Sequence, residues 1–263
     1  MAERLRETPD VQQQQTPSFP TIGVITPHAA AGPEAEWPLI TGHRVDTRLA
    51  RIPAPGGTVT EPGTPPTSPA GLRSLADLNV LSGAAACLLD RGPVDAIGFA
   101  STSTGYVIGH IAEAALLEQL SRRLRVPVDG TSAAVVTALQ TLGVTRLQLV
   151  HPPWIDRELN ELGAAYFRNE GFDVVATVSA KLPNDPRQIQ AADVVTWVSN
   201  HLDDAAQVVV MGGNGFRVAG AVEPLEQRIG RPVLAPNQVL LWALLRKLRI
   251  AGSVSGHGSL FQH

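Results

Sequence analysis

Two short loops in the sequence carry residue types that suit the binding of a carboxylate. One follows the apolar run Gly98 to Ala100 and the other follows Val208 to Met211. Hydroxyl groups and backbone amides donate hydrogen bonds to a carboxylate, glycine lets the backbone approach a ligand, and an asparagine amide both donates and accepts. The residues predicted to contact the ligand are Ser101, Thr102, Ser103, Gly212, Gly213 and Asn214.

Both loops also have a purely structural explanation. Serine and threonine are common N-caps of helices, which would account for one or two of the three hydroxyl residues. A tight turn with positive φ favours glycine and asparagine, and would account for the second loop. A run of three hydroxyl residues next to an apolar strand nevertheless favours a ligand role.

Two histidines are the candidates for acid/base chemistry. His28 and His151 each follow an apolar run, and an imidazole gains or loses a proton near neutral pH. A loop histidine with a structural hydrogen bond is the alternative for each. Trp154 would wall the pocket or simply pack, and Asn237 would contact the ligand or cap the helix that follows it.

Three other reactive side chains are interpreted as structural. Glu34 and Glu36 could reach a cleft, but a position at the solvated start of a helix describes them adequately. Cys87, the only cysteine of the chain, is expected as a small core residue within a helix.

Short apolar runs alternate with amphipathic helical stretches, which is the pattern of parallel sheets with right-handed crossovers. Strands are predicted at residues 21–26, 45–52, 96–100, 127–129, 146–150, 173–178, 207–211 and 232–235. Helices are predicted at residues 72–89, 105–124, 132–142, 156–170, 187–201, 221–229 and 238–248.

The order of these elements can be written twice, which predicts an internal duplication. Residues 23–28 parallel residues 147–152, each a strand that ends in a loop with proline and histidine. The predicted fold class is α/β, with two similar parallel-sheet lobes related by a pseudo-twofold axis and a ligand cleft between them. The simple recurrence of βαβ units is the alternative explanation. The predicted ranges are 1–20 for a disordered N-terminal tail, 21–131 plus 237–263 for the first lobe, and 132–236 for the second.

Composition argues against several classes of protein. The chain has 263 residues, of which 44% are hydrophobic, so it can bury a sizeable core. A net charge of -3 without a stripe of basic residues argues against a nucleic-acid partner. No apolar run reaches the roughly 18 residues that a membrane-spanning helix needs. A single cysteine gives no disulfide framework, which fits a cytoplasmic location.

The sequence offers no motif for a cofactor. It lacks a glycine fingerprint for nucleotides, and its histidines show no metal-ligand spacing, so neither a cofactor nor a metal is expected. The segment 53–69, rich in proline and glycine, is expected to form a lid, a binding loop or an ordinary surface excursion.

The strand-end motifs, the duplicated lobes and residues 147–160 together resemble the aspartate/glutamate racemase superfamily, in particular its maleate cis-trans isomerase and arylmalonate decarboxylase branch. The resemblance covers most of residues 21–250. In the decarboxylases a turn of a small residue, Thr and Ser binds a carboxylate and the enediolate formed from it, which implies these roles for Ser101 to Ser103. Trp154 stands where the decarboxylases place a tyrosine beside the same oxygens.

The family's two cysteines have no counterpart in this chain. One usually ends the second-lobe strand, where the chain has Met211 and Gly212, and isomerases often have another at the place of Ser101. Ser101 thereby joins His28 and His151 as a candidate catalytic residue. Because an unactivated hydroxyl is a far weaker acid and nucleophile than a thiol, the family's cysteine chemistry is not expected here.

The resemblance implies a cofactor-independent, isomerase-like enzyme that acts on a small carboxylate or dicarboxylate through an enolate-like intermediate. An arylmalonate-type decarboxylase is the next expectation, because decarboxylation depends on the oxyanion pocket more than on a thiol. A non-catalytic protein that binds a small acid is the third. Self-association is a further expectation from the resemblance.

Overall fold

The computed structural model describes residues 20–27, 31–52, 68–250 and 254–263. His28, most of the segment 53–69 and almost all of the predicted N-terminal tail lie outside these residues. In the part of the chain that is described, no helix combines the length and the apolar character needed to cross a bilayer. The same residues contain no group of three His, Cys, Asp or Glu side chains that could hold a metal ion.

In the described residues, eight strands form two separate parallel sheets of four strands each. The first sheet has the order β2-β1-β3-β4 and the second the order β6-β5-β7-β8, so the same topology occurs twice and the predicted duplication is confirmed. All eight predicted strands are present, with ends that differ from the prediction by at most one residue. They are β1 Thr21–Pro27, β2 Asp46–Ile52, β3 Ala96–Phe99, β4 Val128–Gly130, β5 Arg146–His151, β6 Asp173–Ser179, β7 Val208–Met211 and β8 Val233–Leu234.

Ten helices connect and cover these strands in the described residues. They are α1 Pro33–Thr41, α2 Pro69–Ser74, α3 Leu78–Leu89, α4 Thr102–Ile108, α5 His110–Leu124, α6 Thr131–Leu142, α7 Arg157–Asn169, α8 Ala191–Asn200, α9 Ala219–Ile229 and α10 Pro236–Lys247. Short 3-10 turns lie at Pro186–Gln188, Asn214–Phe216 and Ser259–Gln262.

Two of the predicted helices are each divided in two. The helix predicted at 72–89 breaks between α2 and α3, where Asp77 caps α3 by accepting from the backbone N–H groups of Asn79 and Val80. The helix predicted at 105–124 begins earlier, at Thr102, and breaks at Gly109, whose φ of 80° does not continue a helix. The earlier start matters for the site, because it places Ser101 to Ser103 at the N-terminus of α4.

The last long helix packs against the first sheet, although the second sheet directly precedes it in sequence. A Cβ atom at Gly98 of β3 would lie 3.1 Å from Leu240 Cδ2 and 3.1 Å from Leu244 Cδ1 of α10. Gly98 therefore lets α10 lie close to β3, as helix packing on a sheet requires. The domain boundaries proposed from the sequence remain a prediction.

Candidate active site

The loops after β3 and β7 meet where the two lobes join. The backbone N–H and the hydroxyl of Thr102 both donate to Oδ1 of Asn214, each at 3.0 Å. The backbone N–H of Gly213 donates to the Thr102 hydroxyl oxygen at 3.2 Å. The two loops that the sequence singled out thus lie in direct contact, one from each lobe.

Two further strand ends complete this polar cluster. The Asn214 Nδ2 group donates to Thr131 Oγ1 at 3.0 Å and to Asn237 Oδ1 at 2.9 Å. Thr131 begins α6 directly after β4, and Asn237 lies in the first turn of α10, after β8. Asn237 is not the N-cap of that helix, which is Ala235. Its side chain joins the cluster instead.

The orientation of both amides follows from their partners. The backbone N–H of Thr102 can only donate, so the Asn214 atom that faces it must be oxygen. The Asn214 NH2 group then faces Asn237 Oδ1. The Asn237 NH2 group in turn donates to Glu36 Oε2 at 2.6 Å and to the Asn214 carbonyl at 2.8 Å. A directed chain of hydrogen bonds therefore runs from Glu36 to Thr102.

Glu36 is buried, so the expectation of a solvated helix start is wrong for this residue. It is 7% exposed, and its Oε1 accepts from the backbone N–H of Ala219, the first residue of α9, at 2.7 Å. Burial raises the pKa of Glu36 to about 7, against the opposing effect of the hydrogen bonds from Asn237 and Ala219 and of the charge of Arg217. The sequence reasoning missed this group because its partners lie 183 and 201 residues away.

The three hydroxyl residues of the first loop are not equivalent. The hydroxyls of Ser101 and Thr104 hydrogen-bond to each other at 2.7 Å, and Ser101 makes no side-chain cap of α4. Ser103 is half-buried and its hydroxyl has no hydrogen-bond partner among the described residues. Ser103 is therefore the member of the turn whose hydroxyl remains available to a ligand.

Trp154 also keeps an available donor. It is half-buried. Its ring packs edge to face against that of Phe216, which follows the turn at Gly212 and Gly213, with 6.1 Å between the ring centroids. No hydrogen bond from its indole N–H is made within the described residues. The packing interpretation of Trp154 holds, and it does not exclude contact with a ligand.

His151 lies behind the glycine turn, with 1% of its surface exposed. Ser179 donates to the Ile155 carbonyl at 2.7 Å and accepts from Asn160 Nδ2 at 2.8 Å. Asn160 Oδ1 consequently faces His151 Nδ1 at 2.6 Å, so Nδ1 carries the hydrogen. His151 Nε2 is then an acceptor for the Tyr106 hydroxyl at 3.3 Å.

This environment keeps the His151 imidazole neutral. Burial lowers its pKa to about 4, although the hydrogen bond to Asn160 opposes the shift. A Cβ atom on Gly212 would lie 2.6 Å from His151 Cδ2 and 3.1 Å from the Tyr106 hydroxyl. Gly212 is therefore required by close packing, and Gly213, with a φ of 85°, by the turn itself. A catalytic role for His151 remains a prediction.

The strand ends of the described residues hold no thiol. Cys87 is exposed on α3, so its expected place in the core is wrong. Met211, at the end of β7, is 1% exposed and packs in the core of the second lobe. The ionisable group nearest to the Thr102–Asn214 contact through hydrogen bonds is Glu36.

Comparison with known proteins finds similarity to maleate isomerases and to arylmalonate decarboxylase. The maleate isomerase of Pseudomonas putida is 26% identical over 198 residues, which cover 71% of this chain and 77% of the isomerase. The crystal structure of the maleate isomerase Iso from Pseudomonas putida S16 superposes with a TM-score of 0.74 at 18% identity, over 92% of this chain and 97% of that chain.

Two further solved structures share the fold. A structure of arylmalonate decarboxylase has a TM-score of 0.72 at 22% identity, over 92% of this chain and 99% of that chain. The Nocardia farcinica maleate cis-trans isomerase bound to TRIS has a TM-score of 0.74 at 24% identity, over 92% of this chain and 97% of that chain. A model of the family described as arylmalonate decarboxylase matches residues 68–261. The resemblance inferred from the strand-end residues is thus confirmed, and the chain belongs to the arylmalonate decarboxylase family.

Proposed function

We propose that the protein decarboxylates a small malonate-type dicarboxylate without a cofactor and binds it where the loops after β3 and β7 meet. The observation that carries the proposal is the convergence of donors on one oxygen. Both donors of Thr102 reach Asn214 Oδ1 at 3.0 Å, and the Thr131 hydroxyl lies 3.3 Å from it. A carboxylate oxygen is an acceptor of similar size, so the same donors suit it.

Decarboxylation needs such a site more than it needs a nucleophile. The bond between the α-carbon and one carboxylate breaks, CO2 leaves, and the electron pair moves into the retained carboxylate, which becomes an enediolate. Preorganised N–H and O–H groups stabilise the charge that develops on its oxygens. The free donors of Ser103 and Trp154 would hold the remaining substrate oxygens.

A proton must then reach the α-carbon, and His28 is our proposed donor. It follows β1 directly, and β1 pairs with β3 in parallel, with Ile25 opposite Phe99. β1 ends at Pro27, at the sheet edge that also supplies Ser101 to Ser103, and His28 is the next residue in the sequence. His151, neutral and bonded to Asn160 and Tyr106, is less suited to this role.

Isomerisation of a double bond is the second candidate, because a maleate isomerase is among the relatives. A mutant of the Nocardia farcinica isomerase has been solved with a covalently bound succinylcysteine intermediate. This chain has one cysteine, and Cys87 is exposed on α3. The absence of a second thiol favours decarboxylation over a covalent route of that kind.

Proton NMR in deuterium oxide separates these reactions. A set of substituted malonates and maleate would be incubated with the protein. Decarboxylation gives an acid with deuterium at its α-carbon, and isomerisation gives the fumarate signal. Binding of malonate without turnover of any compound would instead indicate a protein that only binds small acids.

The same assay tests the assignment of residues. Ser103→Ala should lower kcat/KM by a factor of about 10 to 150, since a hydrogen bond to a charged group is worth about 1.5–3 kcal/mol. Ser101→Ala should lower it less, because the Ser101 hydroxyl is already bonded to Thr104. Cys87→Ala is the control and should be neutral, and dependence of turnover on Cys87 would refute the proposed site.

A further inference from the structure

We propose that Asn214 is a built-in occupant of the oxyanion site, and that the substrate carboxylate must displace its side chain in order to bind. The inference rests on the proposed function, because it takes the Thr102 donors as donors to the substrate. In the structure those donors are fully engaged by Asn214, which is 7% exposed. A ligand that uses them has to replace the carboxamide oxygen.

A second set of contacts holds the carboxamide in this position. Its NH2 group donates to Thr131 and to Asn237, and Asn237 is held in turn by Glu36 at 2.6 Å. Glu36 also accepts from Ala219 of the second lobe at 2.7 Å. The occupant is therefore secured from both lobes, and Glu36 acts on it as a positioning residue through Asn237.

The exchange would require rotation of the side chain, because the backbone of Asn214 is fixed. Its carbonyl accepts from Asn237 Nδ2 at 2.8 Å, and a Cβ atom at Gly32 would lie only 2.9 Å from that carbonyl oxygen. Asn214 lies between Gly213 and Gly215 in the sequence. Neither neighbour has a side chain that would obstruct the rotation.

An internal carboxamide makes the site selective for charged ligands. Asn214 competes with any ligand as a tethered group, so a neutral amide or ester gains little by replacing it. A carboxylate accepts hydrogen bonds roughly twice as strongly as a neutral oxygen, and so has the advantage needed to displace the carboxamide. Asn214 is thus a specificity-determining residue that favours dicarboxylates over their monoamides.

Isothermal titration of the full chain with malonate tests this inference through two variants with opposite expected signs. Asn214→Ala removes the occupant and should tighten malonate binding about tenfold, whereas Asn214→Asp places a permanent carboxylate against the Thr102 donors and should weaken it by at least about tenfold. If Asn214 only supports the fold, both variants weaken binding, and that result would overturn the inference.

Two additional measurements keep the outcomes distinguishable. Thr102→Val removes the hydroxyl and keeps the backbone N–H, and it should weaken malonate binding at least about tenfold; if it does not, the proposed binding site itself fails. Weaker binding in Thr102→Val together with no gain in Asn214→Ala refutes the inference and leaves the proposed function standing. If Asn214→Ala does not fold, the side-chain amide protons of Asn214 in the unmodified protein should exchange with solvent faster when malonate saturates it, and unchanged exchange would refute the displacement.

Discussion

Glu36 and Glu113 are the two glutamates that the described residues bury, at 7% and 1% exposure. Burial raises the pKa of each to about 7. Their partners differ, however. Glu36 accepts from two N–H groups and leads through Asn237 to Asn214, whereas Glu113 accepts from the Tyr166 hydroxyl at 2.5 Å and joins α5 to α7. Both carboxylates are buried and both accept hydrogen bonds, so the residues that donate to them distinguish the two sites.

The space around Glu113 is built for a carboxyl group. A Cβ atom on Gly130 would lie 2.6 Å from one of its oxygens, and a Cβ atom on Gly105 would lie 2.8 Å from the other. Asp129 nearby raises the pKa of Glu113 further, by like-charge repulsion. Glu113 therefore has a structural role, because its hydrogen bond from Tyr166 joins the two lobes.

The largest expected effect concerns stability at Glu113. Because the pKa of Glu113 is raised from 4.5 to about 7 on folding, the contribution of this group to the free energy of unfolding is greatest below pH 4.5 and is lost as the pH rises through about 7. The shift corresponds to about 3 kcal/mol. Glu113→Gln should abolish that part of the fall, as measured by urea unfolding at about pH 5 and pH 8. A variant that loses as much stability as the unmodified protein over this range would contradict the assignment.

The next effect concerns malonate affinity and separates the two glutamates. When the pH falls through about 7, Glu36 takes up a proton, its bond from Asn237 weakens, and the hold on Asn214 is relaxed. Malonate should then bind about tenfold more tightly near pH 6 than near pH 8. Glu36→Gln should remove this pH dependence, and Glu113→Gln is the matched control that should retain it.

Direct charge repulsion between ionised Glu36 and malonate would also weaken malonate binding as the pH rises. The charged groups around Glu36 therefore have to be considered. Arg217 faces Glu36 and attracts it, while Glu34 on the same helix is paired with Arg51. The Asn214→Ala variant decides between the two mechanisms. Its malonate affinity should be independent of Glu36 ionisation, and a pH dependence that persists in this variant would show that Glu36 acts by repulsion.

The smallest expected effect concerns Tyr106. Its ring stands against both Tyr166 and His151, and its hydroxyl donates to His151 Nε2 at 3.3 Å. Tyr106→Phe removes one long hydrogen bond, so the free energy of unfolding should fall by about 0.5–1.5 kcal/mol. A large drop in malonate affinity would instead mean that this pair takes part in the site, and binding and urea unfolding together give the answer.

The sequence predicted the fold well because the strands are local patterns. Each apolar run from β1 to β8 ends at a change to small or polar residues, and that change also located Thr102 and Asn214 correctly at the junction. The hydrogen bonds between them were not predictable in the same way, because Thr102 and Asn214 are 112 residues apart in the sequence. The duplicated pattern predicted that these strand ends face one cleft, but it contains no information about which side chains bond to each other.

Both buried glutamates did leave a signal in the sequence. Glu36 shares the helical spacing of Pro33, Trp37 and Ile40, all buried on one face of α1. Glu113 likewise shares a face of α5 with Leu116, Leu117 and Leu120. A carboxylate in line with the apolar stripe of a helix is buried, and it requires a partner from elsewhere in the chain. Applied to α1, this rule would have found Glu36.

The position of α10 has a consequence for how the protein is synthesised. Leu240 and Leu244 cover Gly98 of the first sheet, although the whole second sheet is translated between β3 and this helix. On the ribosome the apolar surface beneath α10 therefore stays uncovered until the strands of the second sheet and then α10 itself have emerged. The first lobe can be completed only after that point, when α10 also brings Asn237 to the junction.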